Sequence, residues 1–244
     1  MAKIKLTIEY DGTAYVGWQL QPNGISIQQR VEEALQQLLG EFVRVQSSGR
    51  TDAGVHALGM VCHLETAREL PLSAWRDGLN RFLPLDIAVR SAETVPDDFH
   101  ARFSASGKCY RYTVFCSKVR SPLQLRTSWH IRQALDLEAI RQASCLLVGE
   151  HDFAAFRTSG CVAATTRREI FSVKVSEVEN LLLIDVCGSG FLKNMVRMLV
   201  GTLVEIGRGK RSVTDVSALL SGSSAVAPAL TAPPQGLCLM DVYY

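Results

Sequence analysis

The stretch Lys3-Ile4-Lys5-Leu6-Thr7-Ile8-Glu9-Tyr10 alternates, with Ile4, Leu6, Ile8 and Tyr10 on one face. A period of two predicts a half-buried strand. Ser26 and Gln29 then form an S-x-x-Q capping box. Behind them Ile27, Val31, Leu35 and Leu38 continue at helical spacing to Gly40, a good residue for the position just past a helix. Phe42 to Gln46 and Leu58 to Glu65 read as two strands, joined by a loop running from Gly49 to Gly54. A helix over Ser73 to Phe82 halts before Pro84, and Ile87 to Val95 is another strand. The order is β-α-β-β-α-β.

The second half repeats it. Lys108 to Cys116 is a strand, and Asp136 caps a helix that runs to Val148 before Gly149. Arg168 to Glu177 and Leu181 to Cys187 pair across Glu179-Asn180. Phe191 to Ile206 is a long helix, Val213 to Leu220 a short one, and Leu237 to Tyr243 a closing strand. The Ala-Pro-rich piece from Ser223 to Pro234 reads as a loop. Two tandem ferredoxin-like units in an α+β fold account for the 244 residues, as lobes 1–105 and 106–244 with a cleft between them. The loop from Gly49 to Gly54 lies in the first lobe, and the second is the basic one.

Apolar residues make up 47% and charged residues 20%, which excludes disorder as the dominant state. No apolar run approaches the roughly 18 residues of a membrane helix, and Met1-Ala2-Lys3-Ile4 does not open a signal peptide, so a cytoplasmic, soluble protein is expected. The seven cysteines, Cys62, Cys109, Cys116, Cys145, Cys161, Cys187 and Cys238, contain no C-x-x-C pair. Neither a zinc clip nor a disulfide framework is indicated.

The net charge of +2 hides an asymmetry: residues 1–100 carry 9 basic against 13 acidic side chains, residues 101–244 carry 17 against 11. From Ala101 to Leu135 there is no acid, only Arg102, Lys108, Arg111, Lys118, Arg120, Arg126 and Arg132. A second basic cluster, Arg208, Lys210 and Arg211, follows the long helix. Arginine outnumbers lysine here and suits bidentate phosphate contact, although a solvated basic face is the simpler use.

Gly49-Arg50-Thr51-Asp52-Ala53-Gly54-Val55-His56 is the sharpest local feature. An extended backbone projects Arg50 and Asp52 to the same side, toward a ligand. The competing reading is an Asx-turn at Asp52, with Gly54 supplying positive φ. In Tyr110-Arg111-Tyr112 the tyrosines share a face, either as core or as a stacking platform for RNA bases. Lys193 and Arg197 share a helix face amid Met and Leu, where a buried guanidinium needs an acidic partner unless it snorkels. No P-loop, H-E-x-x-H or G-x-S-x-G is present, and His56 and His63 lack the neighbours of a metal site.

Several of these pieces form one collinear set: Tyr10-Asp11-Gly12-Thr13 with Gly17-Trp18-Gln19, Gly49–Ala57, Val95-Pro96 with Phe99-His100-Ala101-Arg102-Phe103, Tyr110-Arg111-Tyr112, His151-Asp152-Phe153 with Phe156, Phe191 with Met195-Val196-Arg197, and Ala232-Pro233-Pro234 with Gly236-Leu237. This set resembles the bacterial tRNA pseudouridine synthase A family from end to end. Met60, Cys109 and Cys238 depart from the family's more usual Gln, Thr and Tyr. The resemblance implies isomerisation of uridine to pseudouridine at positions 38 to 40 of the tRNA anticodon stem-loop, by a homodimer without metal or organic cofactor. It implies Asp52 as catalytic carboxylate, Arg197 as its ion-pair partner and Tyr110 as the ring over the base. Arg50 is similar to the residue that helps displace that base, and Leu237 to an apolar wall. The acid-free stretch, with Arg102 and Arg111, is expected to hold the stem's phosphates.

Two rivals come from other classes. A non-catalytic RNA-binding module on the same repeats leaves Asp52 unexplained, because a carboxylate beside phosphates is repulsive. A hydrolase using Asp52 and His56 needs an oxyanion site and a nucleophile, and the sequence offers neither.

Overall fold

A computed structural model describes residues 2–158, 160, 163–223, 225–227 and 230–244. The chain forms two compact units, one running to Ser106 and including Cys238–Tyr244, the other Gly107–Leu237. Cys161, and Ser224, Pro228 and Ala229 of the Ala-Pro-rich piece, lie outside the described residues.

In the first unit β1 (Ala2–Tyr10) lies between β3 (His56–Thr66) and β4 (Ile87–Val95), antiparallel to both. Ile4, Leu6, Ile8 and Tyr10 are all buried, on the face their alternation predicts. Helix α1 (Ile27–Leu39) covers the sheet with Ile27, Val31, Ala34 and Leu35. Ser26 Oγ accepts from the Gln29 N–H at 3.2 Å, and Gly40 closes the helix in the left-handed region. The second helix opens with a π-turn, Ala74–Gly78, and runs into α2 (Leu79–Phe82), burying Trp75 and Leu79.

The strand expected over Phe42 to Gln46 shrinks to β2 (Gln46–Ser47), which pairs with Cys62 and His63. The cause is the buried Glu32 carboxylate of α1, which takes the Val45 N–H (3.2 Å) and the Arg44 guanidinium (2.8 Å). The Val45 N–H is thereby spent before a strand can use it, and Phe42 is left exposed.

The closing strand β10 (Leu237–Tyr243) belongs to the first unit from Cys238 onward, not to the second half of the chain. It runs parallel to β3, Cys238 opposite His56 and Leu239 opposite Ala57.

In the second unit β5 (Gly107–Cys116), β9 (Leu181–Gly188), β8 (Arg167–Val178) and β7 (Gly149–Asp152) form an antiparallel row in that order. Strand β6 (Trp129–Ile131) adds in parallel beside β5; neither β6 nor β7 stands out in the sequence, being only three and four residues long. Glu179 takes positive φ (54°) in the β8–β9 turn. Helix α3 (Leu137–Cys145) is capped by Asp136, whose Oδ1 accepts from the Ala139 N–H at 3.0 Å, and ends short of Val148. The long helix α4 (Met195–Gly207) is buried along most of its length and starts at Met195 rather than Phe191. Asn194, at φ 61°, breaks helical continuity there. Helix α5 (Thr214–Leu220) buries Val216 and Leu219.

Cys109 and Cys187 face one another across β5 and β9 and are joined as a disulfide, a pairing that chain spacing does not reveal. Among the described residues no helix is long and apolar enough to cross a membrane.

Candidate active site

The loop carrying Asp52 is braced by the segment that follows β1. Thr51 is buried, its hydroxyl 2.7 Å from that of Tyr10, and its carbonyl accepts from the Trp18 N–H at 3.1 Å. The Gly54 N–H donates to the Tyr15 carbonyl at 3.3 Å. Gly17, at φ 103°, lies so close that a Cβ there would fall on the Thr51 carbonyl oxygen. The Val55 N–H donates to the Asp52 carbonyl at 3.1 Å, closing a turn in which Gly54 takes φ 76°. Arg50 is exposed and Asp52 half-buried on either side of the inward Thr51. This brace gives the Y-D-G-T and G-W-Q motifs a physical purpose: they hold the backbone on both sides of the carboxylate.

His56 belongs to the same brace. Its Nδ1 accepts from the Gly12 N–H at 3.1 Å, and Asp11 Oδ1 lies at the same distance. Asp11 Oδ1 also accepts from the Thr13 N–H at 2.9 Å.

In the second unit Tyr110 and Tyr112 occupy the inward face of β5. Tyr110 meets Phe191 edge-on, with ring centroids 5.2 Å apart. The Tyr112 hydroxyl donates to the Pro233 carbonyl at 2.7 Å, and Gly236 lies against its ring. Burial pushes the Tyr112 phenol well above the ordinary tyrosine range, opposed by the nearby Arg197 charge. Tyr112 is therefore a neutral core tyrosine.

Arg197 donates from Nε to the Ala232 carbonyl (2.7 Å) and from Nη1 to Asn194 Oδ1 (2.8 Å). The Ala232 N–H returns to the Arg197 carbonyl at 3.1 Å. The Ala-Pro-Pro-x-Gly motif is thus the wall on which Arg197 and Tyr112 are set. Leu237 follows it, buried.

The remaining cations are scattered. Arg111 occupies the opposite face of β5, in a bidentate pair with Asp185 at 2.7 and 2.9 Å. Arg102 is exposed, 5.7 Å from the Phe103 ring, and its N–H donates to His100 Nδ1. The neighbouring Ala101 N–H donates to His63, at the far end of β3 from His56 and the Asp52 loop. His56 and His63 are themselves separated by roughly 20 Å of strand. In the second basic cluster, Arg211 pairs with Glu205 and Arg208 stacks over Trp129 at 5.5 Å. Acids distant in the chain offset part of a charge that the sequence shows unmatched.

Sequence reasoning missed Asn194 and Thr158, which bond to one another at 2.9 Å beside Arg197. The available signal was an asparagine at a helix start three residues before an arginine. Among the described residues no group of three His, Cys, Asp or Glu side chains is placed to hold a metal ion.

The α+β chain that carries this loop and this tyrosine–arginine pair has clear relatives in sequence. The sequence model of the tRNA pseudouridine synthase family matches residues 6–104 and 143–244, so the chain belongs to that family. The tRNA pseudouridine synthase A of Syntrophotalea carbinolica is 61% identical over 244 residues, covering all of this chain and 97% of that one. Those of Geotalea daltonii and Geotalea uraniireducens are 58% and 56% identical, with both chains covered in full. The chain is an isomerase that converts uridine in tRNA to pseudouridine.

Proposed function

We propose that the substrate is the tRNA anticodon stem-loop at positions 38 to 40, and that Asp52 is the catalytic carboxylate. In this reaction the bond between uracil N1 and ribose C1′ breaks, the base turns, and C5 bonds to C1′. N1 gains a proton and the C5 hydrogen leaves. An ionised carboxylate serves as nucleophile toward the sugar or ring, or as base at C2′. Arg197 is the guanidinium that keeps it ionised, because a nearby opposite charge favours the charged form. Tyr110 is the ring that stacks on the uracil, and Leu237 an apolar wall beside it.

A stacked uridine is out of reach until flipped, at a cost of a few kcal/mol. Arg50, exposed two residues from Asp52, fills the vacated space. Arg102 and Arg111 contact phosphates, Arg111 the more weakly because Asp185 already matches its charge. We further read both units as ferredoxin-like, the protein as cytoplasmic, and the working form as a homodimer.

The observation that carries this reading is the brace: backbone bonds to Trp18 and Tyr15 and the Tyr10 hydroxyl hold the loop while Asp52 stays half-buried. Preorganisation of that kind is what a reacting carboxylate needs. The test uses tRNA tritiated at uracil C5. Release by the wild type and none by Asp52→Asn is expected; equal release by both removes Asp52 from its role.

A further inference from the structure

Helix α4 begins in an unusual way. An asparagine at a helix N-cap ordinarily lies in the extended region and spends its side-chain oxygen on an N–H of the first turn. Asn194 is left-handed, at φ 61° and ψ 7°, and makes no such cap bond. Glu179, the other described non-glycine residue with positive φ, sits in a hairpin turn where that conformation serves the chain reversal. Asn194 likewise sits in a turn, the third residue of Leu192–Met195, closed by the Met195 N–H on the Leu192 carbonyl at 3.1 Å; what sets it apart is the use of its side chain.

Its side chain is committed elsewhere. Oδ1 accepts from Arg197 Nη1 at 2.8 Å, and Nδ2 donates to Thr158 Oγ1 at 2.9 Å. Thr158 is in turn tied to the turn that precedes α4, its N–H donating to the Lys193 carbonyl at 3.4 Å. The guanidinium is a rigid plane, and its Nε is separately held by the Ala232 carbonyl at 2.7 Å. Two nitrogens bonded to acceptors on separate segments fix that plane.

We infer that Asn194 is a positioning residue for Arg197: its amide, anchored by Thr158 and aimed by a left-handed backbone, sets the guanidinium in the orientation that the reacting carboxylate requires. This rests on the role given to Arg197 above. The turn accounts for the left-handed backbone; what the helix forgoes is a side-chain cap, and the amide goes to Arg197 and Thr158 instead.

The test separates backbone from amide. Asn194→Gly keeps the left-handed conformation at less strain and removes the side chain. The single-turnover rate of C5 tritium release is expected to fall about 10- to 100-fold, as for a small misplacement of a reacting group, with tRNA affinity unchanged. In an Arg197→Lys background, which cannot be oriented at two points, the same change is expected to add no further loss. Thr158→Val, which removes the anchor and leaves Arg197 untouched, is expected to slow release in the same direction and decides the matter if Asn194→Gly fails to fold.

An unchanged rate in Asn194→Gly, or an equal further loss in the Arg197→Lys background, overturns the inference. Asp52→Asn is measured alongside. If that variant still releases tritium, the catalytic reading fails; if it is inactive while Asn194→Gly is normal, only the positioning role falls.

Discussion

The hydroxyl oxygens of Tyr10 and Thr51 lie 2.7 Å apart, joining the last residue of the first strand to the residue before Asp52. Both groups are buried. The bond therefore ties the sheet to the loop, and its loss leaves a hydroxyl enclosed without its partner. Tyr10→Phe is expected to lower stability by about 1–2 kcal/mol, read from urea midpoints. It is also expected to lower kcat while leaving KM near its original value, because a looser loop still binds RNA. A fall in KM alone would contradict the brace.

Gly17 offers a sharper probe of the same contact. Its φ of 103° is unfavourable for other residues, and a Cβ there meets the Thr51 carbonyl. Gly17→Ala is expected to cost more than about 1 kcal/mol and to reduce activity further than its stability loss explains. Thermal unfolding with and without tRNA separates the two effects.

His63 sets a pH dependence. It is buried, its Nδ1 accepting from the Ala101 N–H at 3.1 Å, with the His100 ring 4.8 Å away. Burial, then the neighbouring His100 and Lys3, hold its imidazole below the ordinary histidine range. The unfolded chain takes up this proton at about pH 6.5, the folded one only lower. Between those two values the unfolded state binds more protons, so stability falls as pH drops. The urea midpoint is expected to be level well above the ordinary histidine value of about 6.5 and to decline as pH falls through and below it, less so in His63→Gln. A midpoint that rises over this window would refute it.

Arg102 and Arg111 should differ toward RNA. Each phosphate contact contributes about 0.9 to the slope of log affinity against log salt. Binding is expected to weaken steeply with salt, and Arg102→Ala to lower the slope by about one. Arg111→Ala is expected to lower it less, since Asp185 already holds that guanidinium at 2.7 and 2.9 Å. Equal effects would show that the ion pair opens on RNA.

Legibility followed the range of the interactions. Where alternation or caps decide, as over Ile4 to Tyr10, Ser26 to Gly40 and Asp136, the sequence is enough, because each signal lies within one element. It fails at Phe42 to Val45, where the Glu32 carboxylate on another element takes the strand's donor. At β10 it gives the strand, Leu237–Tyr243, but not its place, because the partner β3 is about 180 residues upstream, as read from the pairing of Cys238 with His56. The loop at Asp52 could be read as chemically rich, but its support by Tyr10, Tyr15 and Trp18 spans three turns of chain. Asn194 was hidden for a different reason: its place three residues before Arg197 is a weak local signal, and its second partner, Thr158, is 36 residues upstream.

The parallel docking of Cys238 and Leu239 beside His56 and Ala57 has a kinetic corollary. Translation makes the Asp52 loop well before the strand that pairs beside it, so a nascent chain carries that loop long before the sheet next to it is complete. A chain lacking this strand would retain the motifs and lose the frame. Removal of Cys238–Tyr244 is thus a way to disarm the enzyme while leaving those motifs in place.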